Sequence, residues 1–229
     1  MKIKNIVIPL MLVLTMLFPS AAYAETQKVI QLHGGYNYTE QYMTNWCWAA
    51  TGLNIFVAID ETIPSSKTDK AFLLELVKDV VRNSDYLSPE AGSTDYERYD
   101  ISAGLTETAE IASDLLYDNG YRDVCYEVST TTKGGPIVRT FTHIMNDLED
   151  GFPTAIWLDP TKESSNRYSH IVLITGADST WDDRDDYDVR LFDSEGGVHK
   201  WITYNDLVAG TSKVTNYKCY TGTCEYYDR

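Results

Sequence analysis

Apolar residues recur along this chain in distinct patterns. The first is a run without period: Ile6 to Phe18 is almost wholly apolar. It follows Lys2 and Lys4 and gives way to Pro19, Ser20 and the small-x-small triplet Ala22-Tyr23-Ala24. A positive start, a short apolar run and a small-residue cleavage site make up a secretory signal peptide, residues 1–24. The run is short for a membrane span, which disfavours an uncleaved anchor. Cleavage near Ala24 leaves residues 25–229 as one exported domain. No Cys follows the site, so lipoprotein processing is not indicated.

Residues 25–44 are polar and read as loop. Helical spacing comes next. Ala49, Ala50, Leu53 and Phe56 line one face of a helix over 45–58, with Asn45 placed to cap it. A second amphipathic helix is predicted over 69–81, and residues 83–101 read as irregular. A third helix, 105–117, stops at Asn119-Gly120. After a strand-like run at 122–129, Gly134-Gly135-Pro136 opens a fourth helix over 137–148. Beyond it the apolar runs shorten. Residues 154–158, 169–175, 189–192 and 198–202 read as strands, 203–209 as a short helix and 213–220 as a last strand. Helices first and strands later predict an α+β fold with an antiparallel sheet, in two lobes with a cleft between them.

Composition narrows the function classes. The chain has 229 residues, with 34 acidic and 19 basic side chains and a net charge of −15. Loss of a signal peptide carrying two Lys makes the mature value −17. Nucleic-acid binding needs a basic face, so nucleic acid is not an expected partner. Stable association with an anionic membrane is disfavoured on the same ground. Six Asp residues fall between Asp178 and Asp188. They lack the Gly and terminal Glu of an EF-hand, so a solvated loop is expected rather than a calcium site. No cofactor or metal is expected, since no Cys/His group has zinc spacing.

Export makes disulfides possible. Cys219 and Cys224 bracket Thr221-Gly222, which suits a small disulfide loop; two reduced thiols are the alternative. Cys125 sits in a strand-like run as a small buried residue. Cys47 is different. It falls in the first turn of a predicted helix, where unpaired backbone N–H groups and the helix dipole favour a thiolate. An isolated helical Cys is ordinarily a packed residue, so partners decide its meaning. His33 lies in a Gly-rich loop, His143 on the fourth helix, and His199 on a strand exterior. His170 immediately precedes the apolar strand Ile171-Val172-Leu173-Ile174 and is the strongest candidate base. If the strands at 169–175 and 189–193 form a hairpin centred near Trp181-Asp182, residue 170 faces 193. Asp193 then orients the imidazole. Glu195 is the fallback, and a purely turn-forming Asp193 the plain alternative.

At this point the sequence resembles a known family. Gln41, six residues before Cys47-Trp48, with Asn45-Trp46-Cys47-Trp48-Ala49-Ala50, looks like the papain-fold cysteine peptidases, most of all the bacterial branch that includes the AvrRpt2-type enzymes. His170 before an apolar strand and Asp193 after another fit the same pattern, in the order Gln, Cys, His, Asp. The resemblance implies a papain-like two-lobe fold, with the nucleophile on a helical lobe facing an antiparallel sheet lobe. It implies peptide-bond hydrolysis by a Cys47–His170–Asp193 triad, with Gln41 and the Cys47 backbone N–H as oxyanion donors. Trp46 and Trp48 either wall the site or pack the helix against the second lobe. There are departures: the Cys-Gly-x-Cys-Trp motif is absent, Asp replaces the common Asn, and no long pro-segment fits before Cys47. Control is then left to a separate protein inhibitor, a partner or redox state.

The expected protein is thus a secreted monomeric cysteine peptidase acting on a protein or peptide substrate. The acidic loop is expected to disfavour acidic substrates and to help keep His170 protonated. A transamidase or cell-wall amidase would use the same thioester, and an exported binding protein could keep the scaffold without catalysis.

Overall fold

The computed structural model describes residues 28–32, 38–60, 62, 68–130, 140–160, 169–180, 187–209 and 217–228. The predicted signal peptide, His33 and the centre of the Asp-rich loop at 181–186 lie outside the described residues.

The architecture is α+β, with an antiparallel sheet. Six helices are described: α1 (Cys47–Ile59), α2 (Lys70–Asn83), α3 (Asp95–Arg98), α4 (Leu105–Asp118), α5 (Phe141–Glu149) and α6 (Tyr204–Ala209). The strands are β1 (Val29–Gln31), β2 (Val124–Thr130), β3 (Thr154–Pro160), β4 (His170–Asp178), β5 (Asp188–Asp193), β6 (Val198–Thr203) and β7 (Tyr217–Asp228). They pair in the order β2-β7-β3-β4-β5-β6, and β1 adds to β4. No helix among the described residues is long and apolar enough to cross a membrane.

The centre of the sheet is covered on both faces, which explains why β4 reads as a solid apolar run rather than an alternating one. Ile171 and Leu173 face the core built with α1, α2 and α4. Val172 and Ile174 face a second core built with α5, Leu191 and Ile202. Helix α1 lies deepest. Eleven of its thirteen residues are buried, far more than the single apolar face its spacing suggests. Gly52 makes this possible. A Cβ there would sit 2.8 Å from the Thr108 carbonyl oxygen and 2.9 Å from Ile111 Cβ, so its absence lets α4 approach closely.

Several expectations need correction. Residues 29–31, read as loop, form β1 by pairing with Gly176–Asp178. The irregular stretch 83–101 contains α3, closed by a capping box between Thr94 and Glu97. Helix α5 starts at Phe141 rather than 137. Thr140 is extended (φ −63°, ψ 151°) and its hydroxyl accepts from the His143 N–H, so the helix cannot run back through it. The largest correction concerns the tail. Cys219 and Cys224 lie on one continuous strand, β7, paired with both β2 and β3. Five residues of strand separate their Cα atoms by ~16 Å, well beyond the ~7 Å limit for a disulfide. They do not form the expected small loop. Thr221-Gly222, expected at the centre of that loop, marks a register shift between β3 and β7, where Trp157 pairs with Gly222 but Leu158 pairs with Tyr220. A Gly inside a strand often marks such a bulge.

Ala ordinarily stabilises a helix relative to Gly by ~1 kcal/mol. At position 52 the sign reverses: overpacking against α4 should make Gly52→Ala less stable by ~1–3 kcal/mol. The urea midpoint of the variant measures this, and an unchanged or higher midpoint would show that the two helices can separate freely.

Candidate active site

Cys47 is the first residue of α1, and no side chain caps the helix at Trp46. Asn45, the expected cap, is held elsewhere: its backbone N–H donates to Asp100 Oδ1 at 2.8 Å, and its Nδ2 donates to the Asp100 carbonyl at 3.0 Å. Trp46 and Trp48 are fully buried, with no exposed surface. Their indole N–H groups donate to the carbonyls of Tyr99 (2.7 Å) and Ile101 (2.8 Å). The two rings therefore pack α1 against the segment after α3 rather than wall an open cleft. Lys78 on α2 holds α3 in place through an ion pair with Asp95 at 2.9 Å.

His170 opens β4 and is 4% exposed. Its Nε2 lies 2.7 Å from Asp193 Oδ1. An ionised carboxylate can only accept, so Nε2 carries the proton in this bond. The other edge of the ring is left for Cys47, whose side chain hydrogen-bonds with the imidazole. Burial alone would lower the His170 pKa. Hydrogen bonds with Asp193 and Cys47, and the charges of both, outweigh burial and raise it to about 10. Burial likewise pushes Asp193 up, but the His170 hydrogen bond and charge, the Glu195 N–H and the charge of Lys200 bring it below the usual carboxylate range.

The register differs from the expected one. Leu173 pairs with Phe192 and Ile174 with Leu191, and the pairing shifts before Gly176 with Arg190. Continued by one step, Asp193 stands opposite Val172, not His170. The difference is two residues, and side chains alternate with period two, so Asp193 stays on the His170 face. The two are diagonal neighbours, within reach of a long side chain. Asp193 also performs the turn role considered for it, since its Oδ1 accepts from the Glu195 N–H at 2.9 Å.

Gln41 is anchored beside this turn. Its backbone N–H donates to the Ser194 carbonyl at 2.9 Å, and the Ser194 hydroxyl donates to its Oε1 at 3.3 Å. Its Nε2 donates to the carbonyls of Met43 (3.4 Å) and Thr44 (3.2 Å). Upstream, Thr39 and Asn54 of α1 exchange two hydrogen bonds, at 2.6 and 2.9 Å. The structure thus brings Cys47, His170 and Asp193 together and ties Gln41 to the residue after Asp193.

Sequence reasoning missed Asn54, Asp100 and Ser194. Asn54, a polar residue in the middle of an apolar helix, was a readable signal; the other two carried none. His143 is exposed on α5, as expected. His199 is not on an open exterior; it is half-buried and packs against both Tyr38 and Phe192. The described acids that flank the Asp-rich loop do not account for the His170 shift. Asp178 and Asp188 lie at the far end of the hairpin, eight residues of β4 or ~26 Å from His170, beyond the ~8 Å screening length of physiological salt. No group of three or more His, Cys, Asp or Glu side chains among the described residues is gathered to hold a metal ion. Compared with known proteins, the chain matches no family model and has no significant match among curated proteins.

His170 has a folded pKa above the ~6.5 of a free imidazole. The stability it contributes is therefore complete below pH ~6.5 and is lost as pH rises through about 10. Asp193→Asn removes the carboxylate charge but keeps the burial and the Cys47 contact, so the His170 pKa should fall. Titration of its ring resonances by NMR measures this; an unchanged titration would mean that Asp193 does not hold the proton.

Proposed function

We propose that this chain is a papain-like cysteine peptidase. One observation carries the reading: His170 is held at the start of β4 between Cys47 at the start of α1 and Asp193 at the end of β5. A nucleophile at a helix N-terminus, a base within its reach and a carboxylate that orients the base make up an acyl-transfer triad. In this reading α1, α2 and α4 form the helical lobe, the sheet forms the second lobe, and the cleft runs between Cys47 and His170.

In this mechanism Cys47 reacts as the thiolate and His170 carries the proton. The thiolate attacks the carbonyl carbon of a peptide, and the C=O π electrons move onto oxygen. His170 gives its proton to the leaving amine as the C–N bond breaks. Water then enters, His170 takes one of its protons, and the hydroxide attacks the thioester, releasing the acid and Cys47. Asp193 keeps Nε2 protonated and opposes the cost of burying the cation. The Cys47 N–H, an unpaired group of the first helical turn, donates to the oxyanion, and the Gln41 Nε2 joins it by exchanging its contacts with the Met43 and Thr44 carbonyls. Export after cleavage near Ala24, a monomeric state and control by a separate protein inhibitor belong to the same proposal. A transamidase would share the triad, and an amine-transfer product would identify it.

Two variants test the assignment. Cys47→Ala should abolish hydrolysis of a peptide library, and an iodoacetamide or E-64-type probe at pH 6 should label the wild type but not the variant. Peptidase activity retained in Cys47→Ala would overturn the proposal. Gln41→Ala should slow hydrolysis by roughly 10²–10³ while leaving iodoacetamide alkylation, which develops no oxyanion, within about twofold of wild type.

A further inference from the structure

Three neighbouring side chains outside the triad hold buried polar atoms that meet no hydrogen-bond partner: Tyr38 Oη, Arg190 Nη1, and both ring nitrogens of His199. The pairing of Arg190 with Trp201 and of Phe192 with His199 puts Arg190 and His199 on one face of the β5–β6 hairpin as diagonal neighbours. Tyr38 joins the group through ring contacts. Its ring stacks on Phe192 at 4.7 Å and lies 5.4 Å from the His199 ring.

The charge states make three of these four atoms donors. Burial raises the Tyr38 pKa while Arg190 opposes the rise, so the phenol keeps its proton. Burial, then the nearby Arg190 charge, lowers His199 to about 4, so at neutral pH it is uncharged with one N–H. Arg190 carries a positive charge and makes no ion pair among the described residues, in a chain with 34 acidic and 19 basic side chains. Three unpaired donors, one of them the Arg190 cation, thus lie in one neighbourhood, beside the unprotonated His199 nitrogen, which can only accept. Buried donors are seldom left so, because the desolvation cost is then unopposed.

We infer that Tyr38, Arg190 and His199 bind one monatomic anion of the chloride class. The four orphan atoms are closed off from solvent, so a carboxylate or phosphate would have to force the site open. A single water could satisfy the hydroxyl and the imidazole but would bring no opposite charge to the buried Arg190 Nη1. Arg190 itself is only half-buried and gives an ion from solvent its way in. The site sits under the segment that leads to Gln41, three residues on from Tyr38, and does not depend on the peptidase reading.

The test is thermal unfolding of the whole chain in sodium chloride and in sodium gluconate at equal ionic strength. Chloride should raise Tm along a one-site saturation curve, and gluconate should not. Tyr38→Phe keeps the ring stack but removes one donor to the ion, and should weaken the apparent chloride affinity about tenfold. Arg190→Met should abolish the chloride-specific rise. Equal Tm in the two salts for the wild type would overturn the inference and assign the site to water. A chloride response unchanged in Tyr38→Phe would also overturn it, because the ion would then act elsewhere.

Discussion

The structure depends on burying helix α1 on almost every side. A helix so enclosed has no solvent to satisfy its polar groups, so each must find a partner within the fold. The partners are specific. Thr51 donates to the Ile171 carbonyl of β4 at 3.2 Å, Thr108 of α4 donates to the Trp48 carbonyl at 3.2 Å, and Asn54 binds Thr39 at both backbone atoms. These bonds fix α1 relative to the sheet, to α4 and to the chain that precedes it. The position of Cys47 relative to His170 follows from them. Thr51, one turn beyond Cys47, is bonded to the residue directly after His170.

Much of this was legible in the residues because hydrophobic period and local chemistry agreed. The helices at 70–83 and 105–118 begin and end close to where their apolar faces predict. The relation of His170 to Asp193 emerged from an inexact hairpin register, because an offset of two preserves the sheet face and an offset of one would not. What failed had a tertiary cause. β1 is three residues long and exists by pairing with β4, so no local pattern announces it. The tail strand runs through Gly222, since flanking strands on both sides supply the pairing that a lone Thr-Gly sequence does not predict. Asn45 looked like a cap on local grounds and was claimed by Asp100, 55 residues away.

Electrostatics was the least legible layer. Net charge suggested a long-range influence of the Asp-rich loop on His170, but Asp178 and Asp188, the described acids that flank it, stand at the far end of β4 and β5 from His170. The dominant charges are close and few: Asp193 and Cys47 act on His170, and Lys200, 4.0 Å from Asp193 Oδ2, supports the carboxylate. Sign and distance, rather than the overall balance of acids and bases, govern the site.

The segment from Thr39 to Asn45 is fastened at three separate points: Thr39 to α1, Gln41 to the turn after β5, and Asn45 to the segment after α3. A strap pinned at intervals of two and four residues has few conformations left to lose. Its ordering entropy is therefore a cost of folding and not of ligand capture. Any molecule that docks against it meets a surface already in its final shape, and the tightness of that encounter is set by fit rather than by loop closure.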